Sequence, residues 1–320
     1  ERIDSRFYSV ITLHPHLSDK KIEIILKKFR ESIKEDLILL HLKEAYGSIT
    51  FDMYSFYQFV SAYKQINEES EFKIKEDGIE IKQMDPSRVV LMTISLKNDS
   101  YRFFKKGTIG INLDDLETTL KCNKADNQEV TLIFGETYKT TITRTLAALD
   151  LEFDEIPMEA LQNTRYPGQF GLTKTQLNYI LRNCGIYSDV VSILLSPDKV
   201  KFMESGQIGE QDINFEEKDL KTCGIDLDLI KKTLDDKDEE DDGSYITEKY
   251  QEILTSKTVS GTYSLAFFKI IGKIASILSD SDEVIVELLT DSPLRALMDL
   301  KELGASNIEF YLSPRVEEAE

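Results

Sequence analysis

Between residue 49 and the end of the chain, one order of elements is read twice: a helix, strands, a second helix, strands. Apolar residues at helical spacing predict a helix over Tyr54–Ile66. Strands are predicted at Glu71–Ile74 and Ile79–Gln83 about an Asp77-Gly78 turn, then at Val89–Leu96 and Gly107–Leu113. A helix over Asp114–Lys124 and strands at Glu129–Phe134 and Tyr138–Thr143 complete the first pass. The second opens with a helix over Thr173–Cys184. Strands Val190–Leu195 and Lys199–Glu204 follow on either side of Ser196-Pro197-Asp198, then strand Asp212–Glu216. After an interruption come strand Thr258–Tyr263, helix Ser264–Leu278, strand Glu283–Leu289 and strands reaching Leu312. Such self-similarity constrains the fold more than any single motif, because both copies must solve the same packing problem. It divides the chain into a unit at 49–148, a proline-containing connector at 149–168 and a second unit at 169–320.

Two stretches fall outside the repeat. Residues 1–48 are almost neutral, with nine basic and eight acidic side chains, and Ser18-Asp19 is placed to cap a helix through Lys20–His41. The other is an insertion at 218–257, where Asp235–Asp242 holds seven acids and one lysine. Such a run repels itself and is expected to be a solvated loop. Its flanks, Leu227–Leu234 and Tyr245–Leu254, have apolar residues at helical spacing and predict two short helices. Because long surface insertions cost little in loop closure, no core role is expected of them. They read as an appendage packed on the rim of the second unit.

Of the 320 residues, 41% are apolar and 30% charged, which suits a folded protein with a real core. A net charge of −19 argues against a surface coated all over in positive charge for nucleic acid, unless the cations are segregated. No apolar run is long enough for a membrane helix, and no signal-peptide pattern follows Glu1. Cys122, Cys184 and Cys223 are far apart and read as free thiols in a reducing compartment. Three histidines leave no credible metal set, and no cofactor is implied.

Segregation is what the helices suggest. Tyr54–Ile66, Thr173–Cys184 and Tyr263–Leu278 together span 41 residues without one acid, where the chain average would give about seven. They carry Lys64, Lys174, Arg182, Lys269 and Lys273, and the remaining helix ends in Lys121 and Lys124 after an acidic first turn. At 100° per residue, Lys269, Lys273 and Ser276 form one polar stripe, and Lys174, Asn178 and Arg182 another. Any one of these lysines also suits an ordinary solvated face. Repeated over four helices, they point to a positive surface that contacts phosphates without reading sequence. No nucleophile elbow, phosphate loop, dinucleotide fingerprint or metalloprotease motif is present, and paired acids such as Asp114-Asp115 suit a helix start. No catalytic residue is assigned.

Three apolar pieces carry a resemblance: Met84-Asp85 before Val89-x-Leu91, Leu149-Asp150 followed by Ile156-Pro157, and the terminal Tyr311-Leu312-Ser313-Pro314-Arg315-Val316-Glu317. With Leu120-Lys121-Cys122, they resemble in order and spacing the DNA sliding clamps of the archaeal and eukaryotic type, the proliferating cell nuclear antigen (PCNA) family. The likeness covers roughly 49–217 and 258–320. It implies an α+β fold of two related clamp domains, with helices on one face of antiparallel sheets, three subunits closing head to tail into a ring, and helices lining a hole for duplex DNA. By family position, the joining strands are Tyr138–Thr143 of one subunit and Asp212–Glu216 of the next. The implied function is that of a polymerase processivity factor, acting inside the cell on the chromosome (nucleoid in an archaeal cell, nucleus in a eukaryotic one). DNA polymerase, clamp loader, ligase and flap nuclease would dock through short PIP-type peptides. The family's pocket, carried over position by position, is Met84, Val89, Leu91, Ile156, Pro157, Pro293, Tyr311, Ser313 and Pro314, with Tyr311 and Pro157 expected at the surface. The sequence departs from the family at Asp154, Ser313, Tyr57 and Gln58. Two alternatives remain: a subunit of a heterotrimeric or checkpoint-type clamp, and an α+β enzyme with a helical regulatory segment.

Overall fold

The computed structural model describes residues 45–121, 128–135, 161, 163–235 and 245–315. The expected helix at Lys20–His41, the strand at Tyr138–Thr143, most of the connector with Ile156 and Pro157, Lys124, and most of the acidic run lie outside the described residues.

The first half runs β1 (Ala45–Asp52), α1 (Met53–Tyr63), β2 (Glu69–Lys75), β3 (Gly78–Met84), β4 (Val90–Leu96), β5 (Arg102–Phe103), β6 (Gly107–Asn112), α2 (Leu113–Leu120) and β7 (Glu129–Gly135). The second runs β8 (Gly168–Thr173), α3 (Lys174–Asn183), β9 (Val190–Ser196), β10 (Lys199–Gly206), β11 (Gly209–Glu216) and β12 (Cys223–Ile225). It continues with α4 (Leu227–Asp235), α5 (Tyr245–Ser256), β13 (Val259–Ser264), α6 (Leu265–Ala275), β14 (Glu283–Leu288), β15 (Leu294–Leu300) and β16 (Ser306–Leu312).

The duplication is written into the sheets. Strand order β4-β3-β2-β6 in the first half is matched by β11-β10-β9-β13 in the second, and the β1–β7 pair by β8–β14. Even the two-residue β5 on β1 has its counterpart in β12 on β8. β12 lies inside the stretch read as insertion, so the chain that has no equivalent in the first half narrows to α4 and α5. The halves join where β16, the last strand, pairs with β4 from Asn307↔Ser95 to Leu312↔Val90, making a nine-stranded antiparallel sheet. The equivalent outer edge, that of β11, has no partner among the described residues.

Local chemistry explains the element ends. Asp52 accepts from Ser55 N at 2.8 Å to start α1, and Thr173 with Gln176 forms a capping box on α3. The predicted Asp77-Gly78 turn shifts by one residue: Lys75 pairs with Gly78, leaving Glu76-Asp77 as the loop. Gly78 is required there, with φ +150° and a would-be Cβ 2.8 Å from the Leu96 carbonyl. The helix expected over Asp114–Lys124 ends at Leu120, with Lys121 as its C-cap.

All four repeat helices pack in a row, α2 on α1, α1 on α6 and α6 on α3. Their apolar faces, Phe56, Phe59, Val60, Leu116, Leu177, Ile180, Phe268, Ile271 and Ile274, are buried in one continuous core with the inward residues of the sheets. Burial of each such side chain stabilises by about 1.5–3 kcal/mol. Contrary to the expectation that these two helices have no core role, Ile230 of α4 and Tyr250 and Ile253 of α5 belong to this same core. The insertion's flanks are amphipathic, and an amphipathic helix lowers its free energy by covering apolar surface already present.

Candidate nucleic-acid face and candidate partner pocket

The outward side of the helix row carries the cations. On α6 the exposed positions are Ala266, Lys269 and Lys273, followed by the C-cap Ser276, so the polar stripe read from the sequence is the solvent face. Lys273 Nζ reaches across to Gln65 Oε1 at the end of α1 (2.7 Å). On α3, Arg182 is exposed, while Lys174 and Asn178 are half-buried and Lys174 Nζ points at the Leu278 carbonyl (3.4 Å). Close approach of α3 and α6 is possible because position 272 is glycine; a Cβ there would meet Leu181 Cδ1 at 2.1 Å. Lys121 is exposed at the end of α2.

Lys64 differs from these. Its ammonium lies 2.7 Å from Asp114 and 2.6 Å from Glu117. Its hydrogen bond to Asp114, then that to Glu117, hold its pKa above the ordinary lysine value. Asp114 lies in the first turn of α2, where the helix dipole favours an acid, and Glu117 follows three residues on along the same helix. The sequence showed an acid-free α1; only packing brings the acids of α2 to it. Cys184 fits the core reading made from the sequence: burial first, then Glu204, pushes its thiol up to about 11, so it stays protonated. Cys184 and Cys223 are free thiols.

On the opposite face of the nine-stranded sheet, directly paired residues share one side and form a row. It runs Met84–Leu91–Tyr311–Arg295–Glu287–Gln169–Gly224, from β3 to β12. At one end Leu91 and Tyr311 make a small apolar cluster of their own, with Met84 and Leu161 packed against it. Tyr311, expected at the surface, is 2% exposed. The expectation fails because neighbours on both strands and Leu161 close over the ring, while the hydroxyl donates to Glu309 Oε2 at 2.8 Å. Burial, and then that carboxylate, push the phenol up to about 12, so it remains a donor.

Of the other predicted pocket residues, Val89 packs against the main core rather than this cluster, and its carbonyl accepts from Ser313 N at 2.9 Å. Pro293 enters β15 and Ser313-Pro314 leaves β16 where Leu294 pairs with Leu312, so these residues sit side by side at the sheet margin. Sequence reasoning missed Leu161, Tyr166 and Arg295. The alternation of β15 puts Arg295 on the outer face, but nothing in the sequence pairs it with Tyr311 or sets it 5.0 Å from the Tyr166 ring.

Comparison with known proteins finds sliding clamps. Residues 50–151 match the model of the N-terminal domain of proliferating cell nuclear antigen. The proliferating cell nuclear antigen of Saccharomyces cerevisiae is 25% identical over 279 residues, covering 83% of this chain and 96% of its own. The DNA polymerase sliding clamp of Pyrococcus furiosus is 27% identical over 274 residues, covering 82% and 95%. Among solved structures, the Entamoeba histolytica antigen superposes with a TM-score of 0.63 at 19% identity, covering 85% of this chain and all of its own. A structure of the A. fulgidus antigen with the C-terminal region of FEN-1 bound gives 0.60 at 16% identity, covering 85% and 100%.

Proposed function

We propose that the chain is a sliding clamp of the proliferating cell nuclear antigen kind, which encircles duplex DNA as a ring of three copies and tethers replication and repair enzymes to it. The observation that carries this reading is the unequal treatment of two equivalent edges. β4 is paired with β16 inside the chain, while β11 presents the same edge unpaired among the described residues. An exposed edge is a template for another strand. Repeating the internal joint between chains gives a head-to-tail contact that closes when its rotation does. The strand expected to meet β11 is Tyr138–Thr143 of the next copy.

In such a ring the helix row faces inward. Lys121, Lys174, Arg182, Lys269 and Lys273 contact phosphates, with Lys124 expected beside them and Lys64 already occupied by two carboxylates. Contacts of this kind are sequence-blind and salt-sensitive, which permits sliding. The negative remainder of the chain repels DNA from the outside. PIP-type peptides of polymerase, clamp loader, ligase and flap nuclease dock at the Leu91–Tyr311 cluster by displacing Leu161 from it; the FEN-1 segment bound to the A. fulgidus relative supports docking of partners. The units at 49–148 and 169–320, joined by 149–168, act as the two clamp domains, and the work is done at the chromosome.

The test is mass in solution and retention on DNA. The purified chain is expected at about three times its 36.7 kDa. Replacing Lys174, Arg182, Lys269 and Lys273 together with Glu is expected to release the ring from circular DNA while leaving that mass unchanged. A chain that stays monomeric until mixed with a different clamp subunit establishes the heterotrimeric form. A dimer without a ring overturns both.

A further inference from the structure

The pair α4–α5 has no counterpart in the first half, yet it is attached to the rest of the molecule at two specific places. Lys249 of α5 is 5% exposed, which is costly for an ammonium unless it is fully used. Its Nζ donates to the Asp291 carbonyl at 2.8 Å and to Ser292 Oγ at 3.2 Å. Asp291 has φ +48°, a left-handed conformation that a non-glycine residue keeps only when its surroundings hold it. The Tyr263 hydroxyl, donating to the Ser292 carbonyl at 3.2 Å, helps to fix the same turn. The next residue is Pro293, at the margin of the pocket.

The neighbouring side chain reaches the other wall. Tyr250 donates to the Arg165 carbonyl at 2.8 Å, while Arg165 Nη1 donates to Thr233 Oγ1 of α4 at 3.3 Å. Just ahead of α4, Asp226 N donates to the Pro167 carbonyl at 2.8 Å. Residues 165–167 are thus held from both helices, and between the anchors the Tyr166 ring lies against Arg295, the register partner of Tyr311. Leu161, which covers Tyr311, belongs to the same segment.

We propose that α4–α5 holds the two walls of the partner pocket in place, with Lys249 and Tyr250 as their positioning residues. The inference rests on the reading of the Leu91–Tyr311 cluster as the site of peptide docking. It gives the excursion a role that filling core space alone does not: adjacent residues on one helix pin the turn before Pro293 and the segment that carries Leu161 and Tyr166.

The experiment is a titration of the full chain with a synthetic peptide bearing a hydrophobic–x–x–aromatic–aromatic core. Lys249→Met and Tyr250→Phe are each expected to weaken binding by about tenfold. Trimer mass and retention on circular DNA stay as in the wild type, and Lys249→Arg recovers part of the affinity. Tyr250→Phe removes one hydroxyl and carries the test if Lys249→Met does not fold. Tyr311→Ala serves as the reference. If it abolishes binding while Lys249→Met and Tyr250→Phe bind as wild type, the positioning role is overturned and the pocket stands. If Tyr311→Ala also binds as wild type, the docking reading fails instead. Weakened binding that merely follows the fraction of unfolded protein counts against the proposal.

Discussion

The connection from β4 to β6 and the one from β11 to β13 do the same job in the two halves, at very different length. The first crosses in residues 97–106 and includes only β5; the second takes residues 217–258 and includes β12, α4 and α5. Because β5 and β12 occupy the same place on β1 and β8, both connections share one path at that point. What was added in the second half is a helical pair that covers apolar surface and reaches the outer face of the sheet. The halves differ in charge at their helices too. In the first, Lys64 is bound to Asp114 and Glu117; in the second, the α3 and α6 windows hold no acid at all. A duplication therefore preserves sheet order, while loops and helix surfaces diverge.

The comparison breaks most readily at α5. If the excursion is part of the core, Ile253→Ala is expected to cost about 2–5 kcal/mol in chemical unfolding, as for other large-to-small changes at buried sites. A cost within ~0.5 kcal/mol, typical of surface changes, would make α5 an appendage after all.

The charge difference predicts a smaller, electrostatic contrast. Lys269→Ala and Lys273→Ala are each expected to lower the salt slope of DNA binding by about 0.9, the loss of one phosphate contact. Lys64→Ala is expected to leave that slope unchanged, since its ammonium is held by two carboxylates. Equal slopes for all three would show that Lys64 leaves its acids to meet phosphate.

The smallest contrast concerns two aspartates, one in each half. The Lys97 ammonium holds Asp77 below the usual carboxylate range, and Lys301, then Ser279, does so for Asp282. A depressed folded-state pKa gives stability that is present above the ordinary aspartate value of about 3.9 and is lost as pH falls through the depressed one. The Asp282 side chain is 8% exposed and that of Asp77 is 71% exposed, so water screens the second pair. Asp282→Asn is expected to flatten the loss of stability on acidification, and Asp77→Asn to leave it nearly unchanged. Unfolding curves across this acid range decide it; identical slopes for the two variants would remove the distinction.

The sequence by itself determined what depends on neighbours along the chain. Period-two and period-3.6 patterns located the repeat helices, most strands and both short helices of the insertion within a few residues, but not β1 and β8, which open the two halves, nor the short β5 and β12 that pair with them. The α6 stripe of Lys269, Lys273 and Ser276 was legible because a single regular helix sets which residues share a face. Missed or misjudged were features made by strands distant in sequence. The pairing of β16 with β4 places Tyr311 beside Leu91, and the packing of Leu161 turns an expected surface tyrosine into a buried one. The capture of Lys64 by α2 and the anchoring of Arg165 and Ser292 by α4–α5 are likewise contacts between remote segments. Local periodicity is a property of one element and can be read from it. Register, ion pairing and the closing of a pocket belong to pairs of elements, and only the tertiary structure decides which pairs meet.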